Sequence, residues 1–278
     1  MERKHMIYQS IPRLLLSVTV LVAAAQSVHA QGGIPSPEDR PVPATQFVLD
    51  LGGGAMVKSK HPGADRYLFS PFPIIAVGRF YVPGFGQVVD GNKVKRGFYF
   101  YPSFDFNGQR KASDSSDLTG TSKIDWALEL GLGAGYRYDW LRGFVELRQG
   151  INGHEGQVAD FGIDMITNPA DRLEVIFGPR ASWASDDYME TYFGVTAAEA
   201  AAPGSILSAF NADSGFKTVG LEARANFAWS EKTTFHLQGG WDRFVRDAKV
   251  SPIVKAGSEN QFSIGAGVSY RFAFDVFN

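Results

Sequence analysis

Hydrophobic and polar positions alternate along most of the chain. Between residues 124 and 138 the even positions are apolar or aromatic, from Ile124 to Tyr138, whereas the odd positions are small or charged, as at Asp125 and Glu129. Strict alternation over fifteen residues predicts a β-strand, because successive side chains of a strand point to opposite faces of the sheet. The same alternation recurs over 171–184, 216–229 and 262–274. The pattern therefore predicts an all-β protein.

The alternating segments predict an antiparallel transmembrane β-barrel of about ten strands, with twelve as the alternative. The predicted strands are 44–57, 67–82, 97–108, 124–138, 141–152, 157–167, 171–184, 216–229, 232–245 and 262–274. Tight connections such as Asp139-Trp140 separate the long polar loops 59–66, 109–123, 185–215 and 246–261. If both termini are periplasmic, the tight turns are periplasmic and the long loops lie outside the cell.

Two segments fit this pattern less well than the others. Connection 83–96 is long although it falls on the side of the tight turns, so we interpret it as containing a further hairpin. Residues 67–82 form the weakest predicted strand, because Pro71 and Pro73 cannot donate hydrogen bonds to a neighbouring strand.

A soluble β-sandwich or a lipocalin-like barrel also alternates, but it packs large apolar side chains on its inner face. Here the face opposite the apolar one carries glycines and charges of both signs. Aromatic residues gather towards the ends of the apolar rows, where membrane barrels have interfacial girdles. They are Trp126, Tyr136, Tyr138, Trp183, Trp229 and Phe272. The sequence therefore favours a polar interior and a lipid-facing exterior.

Residues 1–30 are predicted to be a cleaved signal peptide. Arg3, Lys4 and Arg13 are basic, residues 14–25 carry no charge, and Val28-His29-Ala30 resembles a cleavage site. A membrane anchor is the disfavoured alternative, because crossing a bilayer takes about twenty apolar residues. We expect export through the periplasm to the outer membrane, with a proline-rich periplasmic linker at 31–43 and one barrel domain at 44–278.

Composition narrows the classes of function. Hydrophobic residues make up 44% of the chain, which can bury a core and excludes intrinsic disorder. The net charge of −2 gives no reason to expect nucleic acid as a partner. The absence of cysteine excludes disulfides, thiolate metal sites, cysteine nucleophiles and a lipidated cysteine anchor.

The predicted interior contains acidic and basic residues in similar number. They are Asp50, Asp125, Glu129, Arg137, Arg142, Glu146, Arg148, Asp160, Asp164, Arg172, Glu174, Arg180, Glu222, Arg224, Asp242 and Arg271. A barrel of about eight strands is filled by side chains, whereas wide channels need about sixteen. We therefore favour an interior closed by ion pairs over a selective pore.

No motif predicts catalysis, a cofactor or a metal, and ligand-binding residues are unknown from sequence. Asp160 and Asp164 share a face, but on a strand they lie roughly 13 Å apart and cannot share a proton. A barrel hydrolase would need a histidine converging with serine or aspartate; of the mature chain's histidines, His61 and His154 are predicted at loop ends and His236 in the lumen. The glycines of 131–135 are interpreted as structural, leaving room for bulky neighbours across the barrel. We expect no enzyme activity.

The longest loop, 185–215, is unusually apolar. It contains Tyr188, Tyr192, Phe193, Ile206, Leu207 and Phe210. Such a loop either folds into the barrel mouth as a plug or presents a binding surface. Residues 197–202 within it are predicted to form a short helix.

Specific segments resemble the MipA/OmpV outer-membrane family. They are Gly178-Pro179-Arg180-Ala181-Ser182-Trp183-Ala184, residues 188–195, residues 247–255 and Ser70-Pro71-Phe72-Pro73. The resemblance covers nearly the whole mature chain. Many such barrels end on a C-terminal phenylalanine, whereas here six residues follow Phe272, so Phe277 is the candidate assembly signal and the effect of 273–278 stays open.

The resemblance implies a non-catalytic interaction or scaffold protein, with a lytic transglycosylase and a peptidoglycan synthase as partners besides outer-membrane lipid. The alternative is a narrow solute channel or osmotic-response porin, suggested by the charged interior.

Overall fold

The computed structural model describes residues 46–82, 86–89 and 96–275. The predicted signal peptide, the linker at 31–43 and Phe277 lie outside these residues. Eleven strands are described: β1 (Gln46–Ser59), β2 (Tyr67–Val82), β3 (Gly86–Val89), β4 (Arg96–Asn107), β5 (Ala127–Tyr138), β6 (Leu141–Asn152), β7 (Gln157–Ala170), β8 (Leu173–Ala184), β9 (Gly215–Ala228), β10 (Thr233–Phe244) and β11 (Asn260–Asp275). The ten long strands confirm the predicted segments. The short β3 lies in connection 83–96 and pairs with the last residues of β2, so this connection adds one strand to the described sheet.

The strands form one antiparallel sheet in the order β3-β2-β1-β11-β10-β9-β8-β7-β6-β5-β4. Sequence neighbours pair by hairpins, and β1 pairs with β11 over thirteen positions, from Gln46↔Asp275 to Lys58↔Ser263. Up-and-down pairing places every long connection except 83–95 at one end of the sheet, which we call the loop end. The tight turns lie at the opposite, turn end.

The two faces of the sheet differ as the alternation predicts. On β5 the outward Leu132 is 71% exposed, whereas the inward Glu129 is 1% exposed. Soluble proteins show the reverse arrangement, so this distribution requires an apolar solvent outside the sheet. The predicted strand 124–138 begins three residues too early: β5 starts at Ala127, and Ile124 is buried among the loops, where it forms an isolated bridge with Arg110.

Glycines on the inward face of β5 accommodate neighbouring strands. A Cβ atom at Gly131 would lie 1.8 Å from the carbonyl oxygen of Leu147 on β6. At Gly133 and Gly135 it would overlap the rings of Tyr101 and Tyr99 on β4. This confirms that these glycines leave room for bulky neighbours.

Three prolines mark the two edges of the described sheet. The ladder from β1 to β2 continues without interruption past Pro71 and Pro73, and the ladder from β4 to β5 continues past Pro102. A proline facing a paired strand would remove a donor from the ladder, so these three ring nitrogens face the opposite edges. Within the described ranges, no ladder joins β2 to β4.

Four helices and two short 3-10 turns occupy the loop end. The helices are α1 (Asp186–Phe193), α2 (Ala197–Ala200), α3 (Arg246–Val250) and α4 (Pro252–Ala256). They pack with residues 108–126 around buried apolar side chains, among them Leu118, Val195 and Ile253. We call residues 108–126, 185–214 and 245–259 the cap. No helix in the described part of the chain has the length and apolarity needed to cross a membrane.

Substitution of Gly131 by alanine tests the close contact between β5 and β6. We expect Gly131→Ala to lower the free energy of unfolding by about 1–3 kcal/mol, because the added methyl group overlaps backbone. Gly143→Ala on β6 is the matched control, since no atom lies within 4 Å of the added position. The measurement is urea unfolding of the refolded barrel, followed by the gel-mobility shift of the folded form. Equal stability of the two variants would contradict the structure.

Candidate functional site

The barrel interior is organised around Arg148 on β6. Its guanidinium group donates to Glu129 Oε2 at 3.0 Å, to Glu146 Oε2 at 2.7 Å and to Asp160. The side chains of Arg148, Glu129 and Glu146 are each 2% exposed. A buried carboxylate is costly unless it is paired and hydrogen-bonded, so this one cation holds three neighbouring strands in register.

Neutral side chains donate further hydrogen bonds to the carboxylates of this network. Ser103 and Tyr101 on β4 donate to Glu146 at 2.6 and 2.9 Å. Asn107 donates to Glu129 at 2.7 Å, and Ser182 on β8 donates to Asp160. The Arg148 network therefore extends across five strands, from β4 to β8.

A second network lies on the adjacent strands. Asp164 on β7 accepts from Arg142 Nε at 2.9 Å and from Arg180 Nη2 at 2.7 Å. Arg180 also donates to Glu222 at 3.2 Å, and Glu222 accepts from Arg224. Asp160 and Asp164 thus bind different arginines, which agrees with the prediction that they do not form an acid/base pair.

The remaining strands are joined in the same way. Arg271 on β11 makes two hydrogen bonds of 2.8 Å to Asp50 on β1. Glu174 accepts from Asn226 at 3.0 Å, and Asn226 contacts His236 Nδ1 at 2.9 Å. Side-chain polar contacts therefore link nine of the ten long strands, β1 and β4–β11, to a neighbour.

Most predicted interior charges lie in these networks, but Asp242 instead lines the first cavity described below, and three others also lie outside the networks. Asp125 is exposed in the cap, where it pairs with Lys123. Arg172 is exposed at the turn end and donates to the Trp229 carbonyl. Arg137 donates to the carbonyl of Asp139, the first residue of a tight turn. All three stand at strand ends, where inward and outward directions no longer alternate reliably.

Sequence reasoning missed several neutral and cap residues. Tyr101, Ser103 and Asp105 fall on alternate positions of one predicted strand. Assigning inward and outward positions along β4, as was done for the other strands, would therefore have placed them in the interior. His154 and Arg110 could not be found in this way, because both lie in loops whose paths depend on tertiary contacts.

Loop 185–215 folds into the barrel mouth. Tyr188 and Tyr192 on α1 are buried and contact His154 edge-on, with ring centroids 4.8 and 5.5 Å away. His154 Nε2 in turn lies 3.3 Å from Glu129 of the Arg148 network. Burial and the nearby carboxylate of Glu129 raise the pKa of Tyr188, so its hydroxyl stays neutral.

Other parts of this loop complete the cap. Phe193 and Leu207 are buried, Phe210 packs against the cap core, and Ile206 is exposed. The helix predicted at 197–202 is α2, closed at its start by Thr196 and Glu199. Of the two interpretations left open by sequence, the structure supports the plug.

Arg110 attaches the cap to α1. Its guanidinium donates to the carbonyl oxygens of Tyr192 at 2.8 Å and Thr191 at 3.4 Å, at the C-terminal end of the helix. A cation is stabilised there by the helix dipole and by the unpaired carbonyls. Burial lowers the pKa of Arg110 to about 10, so the group remains charged at neutral pH.

The closest approach to a catalytic arrangement lies deep in the interior. His236 Nε2 is 2.8 Å from Ser269 Oγ, while Nδ1 contacts Asn226. A serine nucleophile must be reachable by substrate, but Ser269 is 2% exposed and neither cavity described below is lined by it. Among the described residues no cluster of three or more His, Asp or Glu side chains could hold a metal ion.

Two cavities lie in the cap region. The first, of about 380 Å³, lies between α1 and the loop ends of β1, β4 and β9–β11. The second, of about 440 Å³, lies on the other side of Arg110 and is lined by residues such as Asn152, Glu190 and Glu199. Although partial burial opposes ionisation of Glu199, hydrogen bonds from the Ser122 and Thr196 amides lower its pKa.

Comparison with models of protein families shows to which family the chain belongs. The family described as "MltA-interacting protein MipA" matches residues 51–272. The chain belongs to this family. Its match begins within β1 and ends within β11, so it spans the whole described barrel.

Solved outer-membrane barrels are similar to this MipA-family chain at low identity. An outer membrane channel from Pseudomonas putida F1 has a TM-score of 0.40 and 12% identity, with 85% of this chain and 99% of that chain covered. Neisserial surface protein A has a TM-score of 0.27 and 9% identity, covering 81% of this chain and 97% of that one. OmpT of Vibrio cholerae has a TM-score of 0.33 and 8% identity, with 82% and 98% covered. No curated protein matches significantly.

Removal of the Arg148 charge tests whether the interior network carries the stability of this barrel. We expect Arg148→Met to lower the free energy of unfolding by roughly 3–5 kcal/mol, because three carboxylates lose a shared buried partner. Lys123→Met is the control. It removes an exposed ion pair with Asp125 and should cost less than about 1 kcal/mol. Urea titration of both refolded proteins gives the two values, and a similar loss in each would refute the central role of Arg148.

Proposed function

We propose that this outer-membrane barrel does not conduct and acts by binding other molecules, without catalysis. The observation that supports this proposal is the network of ion pairs on the inner wall of the barrel. Arg148 and its partners extend along the inner wall of the barrel from β4 to β8. Helix α1 lies next to this network in the barrel mouth. We infer that paired charges on the inner wall, below a mouth occupied by α1, leave too little room for a continuous water path, which favours an anchoring and recognition role.

We further propose that the bound partners are peptidoglycan-remodelling enzymes, a lytic transglycosylase and a peptidoglycan synthase. Support comes from the family description, which names interaction with MltA. The periplasmic surfaces available for such partners are the turn end and residues 31–43, if the termini are periplasmic. The tight turns leave little area there, so we assign the main contact to the linker and connection 83–95.

A narrow solute channel is the second candidate, and the first cavity favours it. That cavity lies in the mouth and is lined by charged side chains, including Lys58, Lys217 and Asp242. Conduction would require a path from this cavity past Tyr188 and the Arg148 network to the turn end.

Single-channel recording separates the two candidates. We expect the refolded protein to insert into a planar bilayer and remain electrically silent, while a porin added afterwards to the same bilayer produces open steps. Reproducible ion-selective steps, with a reversal potential that Lys217→Glu shifts, would overturn the non-conducting proposal.

Gentle purification of the native protein tests the proposed partners. We expect a lytic transglycosylase and a peptidoglycan synthase to be enriched relative to an unrelated barrel prepared in parallel. Deletion of residues 31–43 should abolish this enrichment, whereas Lys249→Met at the loop end should leave it unchanged. Equal recovery with the unrelated barrel would exclude the scaffold role and leave the barrel's closed interior unaffected.

A further inference from the structure

The first cavity has the composition of a ligand site. We propose that it binds a small acidic sugar, such as a sugar phosphate or a sugar carboxylic acid, independently of the scaffold role. Its volume of about 380 Å³ lies in the range of small-molecule pockets. Three properties of its wall support this ligand class: unpaired cations, unsatisfied buried polar atoms and aromatic rings.

Cations outnumber carboxylates on the cavity wall. Lys58, Lys60, Arg110 and Lys217 line it, against Asp242 alone. Lys60 is bound to Asp114, but Lys58 and Lys217 form no ion pair within the described part of the chain. Arg110 donates only to backbone carbonyls. Three positive charges therefore face the cavity without a bound carboxylate.

Asp105 and two carboxylates of the Arg148 network interact electrostatically with these lysines. Asp105 attracts Lys58, while Glu129 and Asp160 attract Lys217. None of these three carboxylates lines the cavity, and Arg148 already binds Glu129 and Asp160. The ammonium groups consequently remain available to an anion above them.

Buried polar atoms with no partner lie on the same wall. Ser59 Oγ, Arg110 Nε and Tyr192 Oη have no hydrogen-bond partner among the described residues. Ser59, Arg110 and Tyr192 all line this cavity. Such atoms are costly in a folded protein unless something bound there satisfies them.

Further side chains indicate a sugar body in preference to a simple ion. Hydroxyl groups of Ser70, Thr218 and Ser263 line the cavity and can bind sugar hydroxyls. Tyr188 and Phe244 add aromatic side chains to the wall, and Lys217 Nζ lies 5.2 Å from the centroid of the Tyr188 ring. Burial lowers the pKa of His61, so it contributes a neutral imidazole at the cavity edge.

Titration calorimetry with glucose 6-phosphate tests the proposal on the refolded full chain in uncharged detergent micelles. We expect a Kd of about 1 mM or tighter, whereas glucose and glucosamine at the same concentration give no binding heat. Lys58→Met and Lys217→Met should each weaken binding by about ten-fold. Lys249→Met, an exposed lysine paired with Glu259, should change the Kd by less than about two-fold.

Asp242→Asn provides a test that loss of folding cannot imitate. Removal of the single carboxylate on the wall should tighten glucose 6-phosphate binding by about three-fold or more. Absence of binding to the wild type would overturn the proposal, as would equal binding of glucose or weaker binding by Asp242→Asn. An electrically silent barrel that binds glucose 6-phosphate would support the site and exclude transport through it.

Discussion

Arg148 holds three carboxylates from β5, β6 and β7 in a space that water barely reaches. In a membrane barrel the outward side chains must be apolar, so register cannot be fixed by burying an apolar face inside. Here the register of the strands is fixed by ion pairs between inward-facing side chains of neighbouring strands. A shift of one residue would expose Arg148 and its partners to lipid, which makes the network a strong constraint on register.

The cap depends on the same network. His154 contacts Glu129 on one side and the rings of Tyr188 and Tyr192 on the other. Arg110 then binds the end of α1, and Ser251 donates to the carbonyl of Phe193 at 2.6 Å. Loops that would otherwise be mobile are thereby joined to the barrel wall. The cap is thus held against the inner wall by both polar and aromatic contacts.

Two features of the structure are not needed to form a barrel: the prolines at the sheet edges and the cavity under the cap. Pro71, Pro73 and Pro102 direct their ring nitrogens away from the paired strands, which withholds donors from any contact between β2 and β4. The cavity under the cap begins where the loop ends of β1 and β4 face α1. Among the described residues Lys58 has no carboxylate within ion-pair distance, whereas Arg148, deeper in the interior, pairs with three.

The sequence by itself determined the strands, the inward and outward faces and the family of this protein. Alternation is a local property, so Glu129 and Arg148 could be placed inside before any fold was known. Which carboxylate each arginine binds was decided by strand register, which the one-dimensional pattern does not contain. His154, Arg110 and Lys217 acquire their roles only when the loops fold over the barrel, because their neighbours lie tens of residues away along the chain. The side of the sheet on which a side chain lies follows from its position in the alternating sequence. The cavity and its unpaired charges, in contrast, arise from contacts between segments that are distant in sequence.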